Sequence, residues 1–311
     1  MANAQEALTI LVTGGTEGLG KAIALRLARE GHRVFTAGRS AERRARVADE
    51  ARKLNLSVTP LEMDVCDESS VARALAELRS AAGPVDVLIN NAGIAYVVTM
   101  EEIRMEHLRA QFETNYFAYV RLIQQVLPEM RARRRGWIVN MSSQGGRFAL
   151  PLFGPYSGTK FAVEAMSDAL RYELIPFGVK VILIEPGIIR TKIEETSTEL
   201  VSEYKELSKS GPYAGVYRGF VKGWQAEKDK AHTTSEDCAE IVLGALKARD
   251  PRARYSVPAS AGRAMWFVRL LPDKTVDRHV SRSFGLADAG LADAGLDGAA
   301  NAPKPGNSAP Q

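Results

Sequence analysis

With 311 residues, 45% of them hydrophobic and 25% charged, the chain has enough apolar material for a sizeable core and the charge of a water-soluble protein. Length alone admits one large domain or two small ones. A net charge of +4 argues weakly for an anionic ligand and does not imply nucleic acid. Cys66 and Cys238 lie far apart without metal-ligand spacing, so no metal is expected and a reduced compartment is the default. No apolar run approaches the roughly 18 to 20 residues of a membrane span, and the stretch from Met1 to Glu6 lacks the basic and apolar regions of a signal peptide. A soluble, cytoplasmic protein is the expectation.

In chain order, the apolar run 8–13 reads as a strand that ends in a glycine loop, Gly14-Gly-Thr-Glu-Gly-Leu-Gly20, before the helical pattern 22–29. Strand, glycine loop and helix are where backbone N–H groups and a helix N-terminus meet a pyrophosphate. The spacing is Gly-x-x-x-Gly-x-Gly: Gly14 permits the tight turn, Gly18 lets backbone approach phosphate, and Gly20 lets the helix pack close to the sheet. Taken alone, such a loop could equally be a structural turn. Residues 33–39 form the second strand, whose end normally meets the adenosine ribose. Gly38 removes the carboxylate that would bind the 2′-hydroxyl of NAD, and Arg39 offers a guanidinium for a 2′-phosphate. NADP(H) is therefore preferred, although Glu17 brings negative charge to the same place and keeps NAD(H) open.

A basic amphipathic helix, 41–54, reads as a solvated face. The third strand, 57–65, places Asp64 at its end, either to accept from an adenine amino group or to cap the next helix. The fourth, 85–93, ends in Asn91, Ala92 and Gly93. Strands alternating with helices through residue 190 argue a parallel, doubly wound sheet with ligands at the strands' carboxyl ends. A long helix over 112–134 carries Asn115 in an apolar setting, where a polar amide needs a partner and can bend the helix. Arg131, Arg133, Arg134 and Arg135 suit that helix's C-terminus better than a nucleic acid.

Residues 137–141 read as a buried strand releasing Ser143 into a glycine-rich turn. On the following helix, Tyr156 and Lys160 are four apart and so share a face. A neighbouring cation favours phenolate, which is expected to lower the Tyr156 pKa from its usual value of about 10 and fit it for general acid–base work. A sixth strand, 179–187, exits through Pro186-Gly187 toward Thr191. Residues 192–232 are poorly periodic and rich in Tyr and Trp, as a substrate cover would be. Thr233 and Glu236 suggest a capping box opening a helix through Ala248. Residues 254–258 offer a last strand. The apolar and basic segment 262–284 reads as a helix closing the substrate pocket or a subunit interface; contact with a membrane surface is the less favoured alternative. The stretch 285–311, with its repeated Gly-Leu-Ala-Asp-Ala, has the composition of a disordered tail.

Over residues 8 to about 260 the chain resembles the classical short-chain dehydrogenase/reductase family, through Thr13 to Gly20, Asp64-Val65, Asn90-Asn-Ala-Gly93, Asn115, Ser143, Tyr156-x-x-x-Lys160, and Pro186-Gly187 with Thr191. The stretch after Tyr156 is similar to the branch holding 17β-hydroxysteroid and retinol dehydrogenases. The resemblance implies a single Rossmann-type domain over 1–284 and a tetrad of Asn115, Ser143, Tyr156 and Lys160. Ser143 would hold the substrate carbonyl, Tyr156 would give it a proton, and Lys160 would hold the nicotinamide ribose. Asn115 would hold a water that resupplies protons. Cofactor contacts would fall to Thr13, Gly14, Thr16, Gly18, Leu19, Gly20, Arg39, Asp64, Val65, Asn91, Ala92, Gly93, Tyr156, Lys160, Pro186, Gly187, Ile189 and Thr191. The implied activity is interconversion of a hydrophobic alcohol (steroid, retinoid or lipid-like) with its ketone or aldehyde. The alternatives are a 3-oxoacyl thioester reductase and a catalytically silent NADPH-binding sensor. A homodimer or homotetramer pairing the helices of Asn115 and Tyr156 is also implied, and Val97, Val98, Met100, Phe148 and Leu150 are candidates to face a greasy substrate.

Overall fold

The strand Thr9–Thr13 (β1) is buried along its whole length, as a strand must be when both faces of its sheet are covered. In the computed structural model, which describes residues 6–189, 204, 207–268 and 270–286, it lies at the middle of the molecule. The remaining strands are Arg33–Gly38 (β2), Val58–Glu62 (β3), Val87–Asn90 (β4), Gly136–Met141 (β5), Val179–Pro186 (β6) and Arg254–Val257 (β7). All pairings are parallel, in the order β3-β2-β1-β4-β5-β6-β7. The chain winds outward from β1 to β3 and then restarts at β4 on the other side. The crevice between the carboxyl ends of β1 and β4 is therefore the place where such a sheet binds ligands. The expected doubly wound Rossmann-type single domain is what the chain forms.

Helices return the chain between strands: Gly18–Arg29 (α1), Ala41–Lys53 (α2), Glu68–Ala82 (α3), Met105–Phe112 (α4), Ala118–Arg133 (α5), Gly154–Leu174 (α6), Ala214–Lys230 (α7), Ser235–Lys247 (α8), Ala259–Val268 (α9) and Asp273–Ser283 (α10). The period of two along β1 sorts its side chains between two cores. Ile10 and Val12 join Ile23 and Leu27 of α1 and Val242 and Leu246 of α8. Leu11 joins Leu75 and Leu78 of α3 and Leu122 and Val126 of α5.

Four sequence expectations shift. The helix expected over 112–134 starts earlier, at Met105, and opens into a π-turn over Glu113–Phe117 that holds Asn115 fully buried. A buried amide that needs partners off the helix is a physical reason for such a bulge. Asp67, not Asp64, caps α3, accepting from the N–H groups of Ser69 and Ser70 at 2.8 and 3.3 Å, while Asp64 accepts from Cys66 N–H at 3.0 Å. The capping box of α8 is Thr234 with Asp237, one residue later than Thr233 with Glu236; packing of Cys238 and Val242 against α1 sets that register. The segment 262–284 is two helices broken before Pro272, which disfavours helix in the residue ahead of it. Arg133 and Arg134 act as clamps at the end of α5: Arg133 binds Asp86 and the Val85 carbonyl, and Arg134 binds the Pro176 carbonyl. Thr191, residues 192–203 of the expected cover and residues 287–311 of the expected tail lie outside the described residues.

Candidate active site

Two strand ends are stitched together to make the cradle. Thr13 Oγ1 at the end of β1 accepts from the N–H groups of Asn91 and Ala92 at 2.9 and 3.0 Å, and Asn91 Nδ2 donates to the carbonyls of Thr13 and Gly14 at 2.9 and 3.3 Å. Gly14 and Gly18 have φ of 62° and 50°, the left-handed region that glycine occupies without strain. At Gly20 an added Cβ would stand 2.4 Å from the Gly14 carbonyl oxygen, so only glycine lets α1 approach the loop. Leu19 is buried in the core beneath, Thr16 packs against Gly38, and Gly93 abuts the Asn115 carboxamide. Thr13 and Asn91 thus shape the loop, while the backbone is left to meet a ligand.

No side chain caps α1, and its first turn carries no acidic residue. Its free N–H groups and positive dipole end suit an anion. Beside them Arg39 is 76% exposed, its Nη1 3.7 Å from Asp64 Oδ2. Glu17, whose charge argued against a 2′-phosphate, is paired with Arg43 at 2.5 Å. Arg44 is held at the same rim by the carbonyls of Gly38 and Arg39 at 3.0 and 2.6 Å. These residues fit a dinucleotide with an anionic adenosine end. Val65, by contrast, is buried in the α3 core. Pro186 ends β6, Gly187 N–H donates to the Val257 carbonyl at 2.9 Å, and Ile189 packs on the α1 core.

Tyr156 and Lys160 share one face of α6. Lys160 is buried, and its Nζ donates to the Met141 carbonyl at 2.8 Å while lying 5.6 Å from the centre of the Tyr156 ring. Ser143 Oγ accepts from Gly145 N–H at 3.0 Å and donates to the Pro186 carbonyl at 3.4 Å, and it lines the same cavity as Tyr156. Asn115 Oδ1 accepts from Ile94 N–H at 2.8 Å; its Nδ2 donates to the Ile94 carbonyl at 2.9 Å and to Thr159 Oγ1 at 3.1 Å. Its side chain is thus committed to fixing the segment after β4 against α6, beside Tyr156.

The expected depression of the Tyr156 pKa is not found. Burial pushes the phenol up to about 12, against the opposing effect of the Ser143 hydroxyl, while the Lys160 ammonium donates to the Met141 carbonyl. Burial likewise pushes Lys160 down to about 8, against the attraction of Glu164.

Ser143 and Tyr156 form the floor of a cavity of about 300 Å³ whose walls include Phe148, Leu150, Phe153, Trp224 and Phe284. Phe148 and Leu150 were expected there. Val98 belongs instead to a separate buried cluster with Tyr96, Ile103 and Tyr204, and Met100 is exposed. Phe284 ends the segment 262–284 that was expected to close the pocket, although the residue itself was not singled out. The signal for it lies in α7, where Gly219 and Gly223 are four apart. A Cβ at Gly223 would stand 2.6 Å from Phe284 Cδ1, and one at Gly219 2.2 Å from the Phe284 carbonyl oxygen.

Among the described residues no helix is long and apolar enough to cross a membrane. The family model for short chain dehydrogenases matches residues 8–201. The chain is 34% identical over 274 residues to an NADPH-dependent 3-dehydrocapnine reductase of Ornithobacterium rhinotracheale, covering 86% of this chain and 94% of the relative. It is 34% identical over 198 residues to retinol dehydrogenase 8 of Bos taurus, covering 62% and 63%. An actinorhodin polyketide ketoreductase solved with NADPH superposes with a TM-score of 0.69 at 29% identity, covering 83% of this chain and 97% of that one. The matched span runs from β1 through the cradle and the Ser143, Tyr156 and Lys160 positions, and the protein belongs to the short-chain dehydrogenase family of NAD(P)-dependent oxidoreductases, related to its retinol dehydrogenase-like members.

Proposed function

We propose that this protein is an NADPH-linked reductase of hydrophobic ketones or aldehydes. The observation that carries the reading is the placing of Tyr156 and Ser143 together in the lining of an aromatic cavity, with buried Lys160 one turn behind the phenol on α6. A phenol pushed up to about 12 keeps its proton at neutral pH, as a donor to a carbonyl oxygen must. Ser143 and Tyr156 bring two hydroxyls to one cavity, where a substrate oxygen on which charge develops could meet both. Lys160, behind the phenol, adds positive charge to the same region. The α1 N-terminus, Gly14, Gly18 and Arg39 would hold the dinucleotide, which when bound supplies the hydride. Arg39 with Glu17 neutralised by Arg43 supports NADP(H) over NAD(H), as do the NADPH-dependent reductase and the NADPH-bound ketoreductase.

The apolar walls support a greasy substrate, and the retinol, 3-dehydrocapnine and polyketide substrates of the three relatives agree in placing the reaction on a carbonyl or its alcohol. Exposed Phe117, Phe161 and Tyr172, on the π-turn and on α6, support a homodimer or homotetramer paired along these helices. Sedimentation in solution tests that pairing, which a monomer at micromolar concentration would refute. Absorbance-monitored NADPH oxidation against steroid ketones, retinal, long-chain aldehydes and a 3-oxoacyl thioester tests the activity. Turnover on one class that vanishes in Tyr156→Phe supports the reductase and names its substrate. Tight NADPH binding without turnover on any of them would favour the silent sensor.

A further inference from the structure

A partly buried set of charges, with Lys160, Glu164 and Glu185 at its buried centre, lies behind the catalytic face of α6. One turn beyond Lys160 is Glu164, only 6% exposed. Its Oε2 accepts from Arg254 Nε on β7 at 2.9 Å. Arg254 also donates to Asp168 at 2.6 Å and lies 3.4 Å from Glu185 of β6, which binds Arg147 at 2.8 Å. Lys160, Arg254, Arg147 and Arg171, which pairs with Asp168 at 3.4 Å, supply the positive charges of this set, and Glu164, Asp168 and Glu185 the negative ones. Every carboxylate in it has a cationic partner. Buried charge is tolerated when it is paired, and removing one partner exposes the cost of the other.

The geometry ties the set to the site on two sides. Arg147 ends the turn that bears Ser143. A Cβ on Gly146 in that turn would stand 2.7 Å from Ser142 Oγ and 3.1 Å from Glu164 Cγ, so the turn rests on the glutamate. The second oxygen of Glu164, Oε1, is buried without a hydrogen-bond partner among the described residues. Lys160, one turn back on the same helix face and itself buried, is the cation of α6 nearest to it in sequence, while Arg171, two turns on, pairs with Asp168. We propose that Glu164 is a positioning residue that keeps Lys160 an ammonium behind Tyr156, and that Arg254, Glu185 and Arg147 lock the glutamate in place.

The proposal rests on the reductase reading for its consequence but not for its premise. Around Lys160 the groups that titrate or bear charge are Tyr156 and Glu164 on α6 and Tyr119 on α5, whose ring centre lies 5.4 Å from Nζ; β5 contributes the uncharged Met141 carbonyl. Both phenols are pushed upward by burial and stay neutral near pH 8, so among the described residues Glu164 is the carboxylate acting on Lys160; burial raises its own pKa, and the Arg254 guanidinium opposes that and favours its charge. Its effect is to favour the protonated amine. Replacing it by glutamine must then make Lys160 lose its proton at lower pH, while glutamine keeps an oxygen for Arg254.

The test is a titration of Lys160 in the full chain without cofactor, using carbon-13 at the lysine ε position and Lys160→Arg to assign the signal. The expected midpoint is near 8 in the native chain, and about one pH unit lower in Glu164→Gln. Glu164→Asp should restore part of the difference. Arg254→Gln, which leaves the glutamate unclamped and able to protonate, should move the midpoint in the same direction and serves if Glu164→Gln does not fold. The alkaline limb of NADPH-dependent reduction should fall by the same amount. A midpoint unmoved in both Glu164→Gln and Arg254→Gln would overturn the proposal and leave the set as a structural clamp. A chain that reduces nothing, yet shows the shifted midpoint, would refute the reductase reading alone.

Discussion

The cradle and the substrate wall are built by different means. In the cradle, Thr13, Gly14, Gly18, Gly20 and Asn91 act through backbone: two positive φ values, one forbidden Cβ and a set of main-chain hydrogen bonds fix the shape. Four of these five positions lie within eight residues of one another. In the wall, Phe153 of the α6 cap, Phe220 and Trp224 of α7, and Phe284 after α10 come from three distant segments and meet ring to ring, with Phe220 and Phe284 stacked at 5.6 Å. A conserved cofactor shape can be held by local geometry, whereas a wall that selects substrates is held by apolar contact and can be resized by single side chains.

The largest break in this comparison should come at the floor, where the two regions meet. Tyr156→Phe removes the transferable proton without disturbing the wall or the cradle. Turnover should fall by a factor of about 10² to 10⁴, with NADPH affinity, read by fluorescence titration, within a few-fold of the native value. A variant that keeps most of its turnover would take Tyr156 out of the role.

Next in size is the cradle itself. Gly20→Val puts two further methyl groups where even a Cβ would stand 2.4 Å from the Gly14 oxygen and 2.5 Å from Asn91 Nδ2. Since the clash is with backbone, the loop must move; overpacking of this kind costs about 1–3 kcal/mol. NADPH binding should weaken at least tenfold, and melting should fall. Native-like NADPH affinity would show that the loop is not the phosphate cradle. Arg39→Ala is gentler: it should weaken NADPH about tenfold or more, as loss of a charged hydrogen bond of about 1.5–3 kcal/mol does, and leave NADH nearly unchanged. Equal losses for both cofactors would defeat the 2′-phosphate assignment.

The wall should respond in selectivity rather than in chemistry. Phe284→Ala opens the cavity toward Phe220 and Trp224, so the ratio of kcat/KM for bulky against small carbonyls should rise several-fold, with the Tyr156 dependence intact. No change in that ratio would place Phe284 in a packing role only.

These unequal responses mirror what the sequence disclosed. Strand, loop and helix at 8–29 are legible because glycine spacing reports backbone demands directly, and Ser143, Tyr156 and Lys160 follow from a strand end and a helical repeat. The upward shift at Tyr156 was not legible. Spacing puts an ammonium on the same face as the phenol, but it says nothing about the Met141 carbonyl from another element that draws the ammonium away. The placing of Phe284 against α7 and that of Arg254 against Glu164 share that origin: each joins segments about sixty or more residues apart.

The smallest effect tests the junction between the two regions, where α7 of the wall hands the chain to α8 beneath the cradle. Two capping boxes compete in Thr233-Thr-Ser-Glu-Asp237, and local pattern does not choose between them. In the fold, Thr234 Oγ1 accepts from Asp237 N–H at 3.1 Å, and Asp237 Oδ2 accepts from Thr234 N–H at 2.8 Å, while Thr233 is buried before the helix begins. Thr234→Ala should therefore cost about 1 kcal/mol, a drop of about 2 °C or less in melting temperature for a chain of this size. Thr233→Val, which keeps the buried shape and removes only the hydroxyl, should be close to neutral. The reverse order would mean that α8 starts one residue earlier, with Thr234 in its first turn and Cys238 and Val242 still packed on α1, so that the local pattern and not the burial of Thr233 would choose the cap.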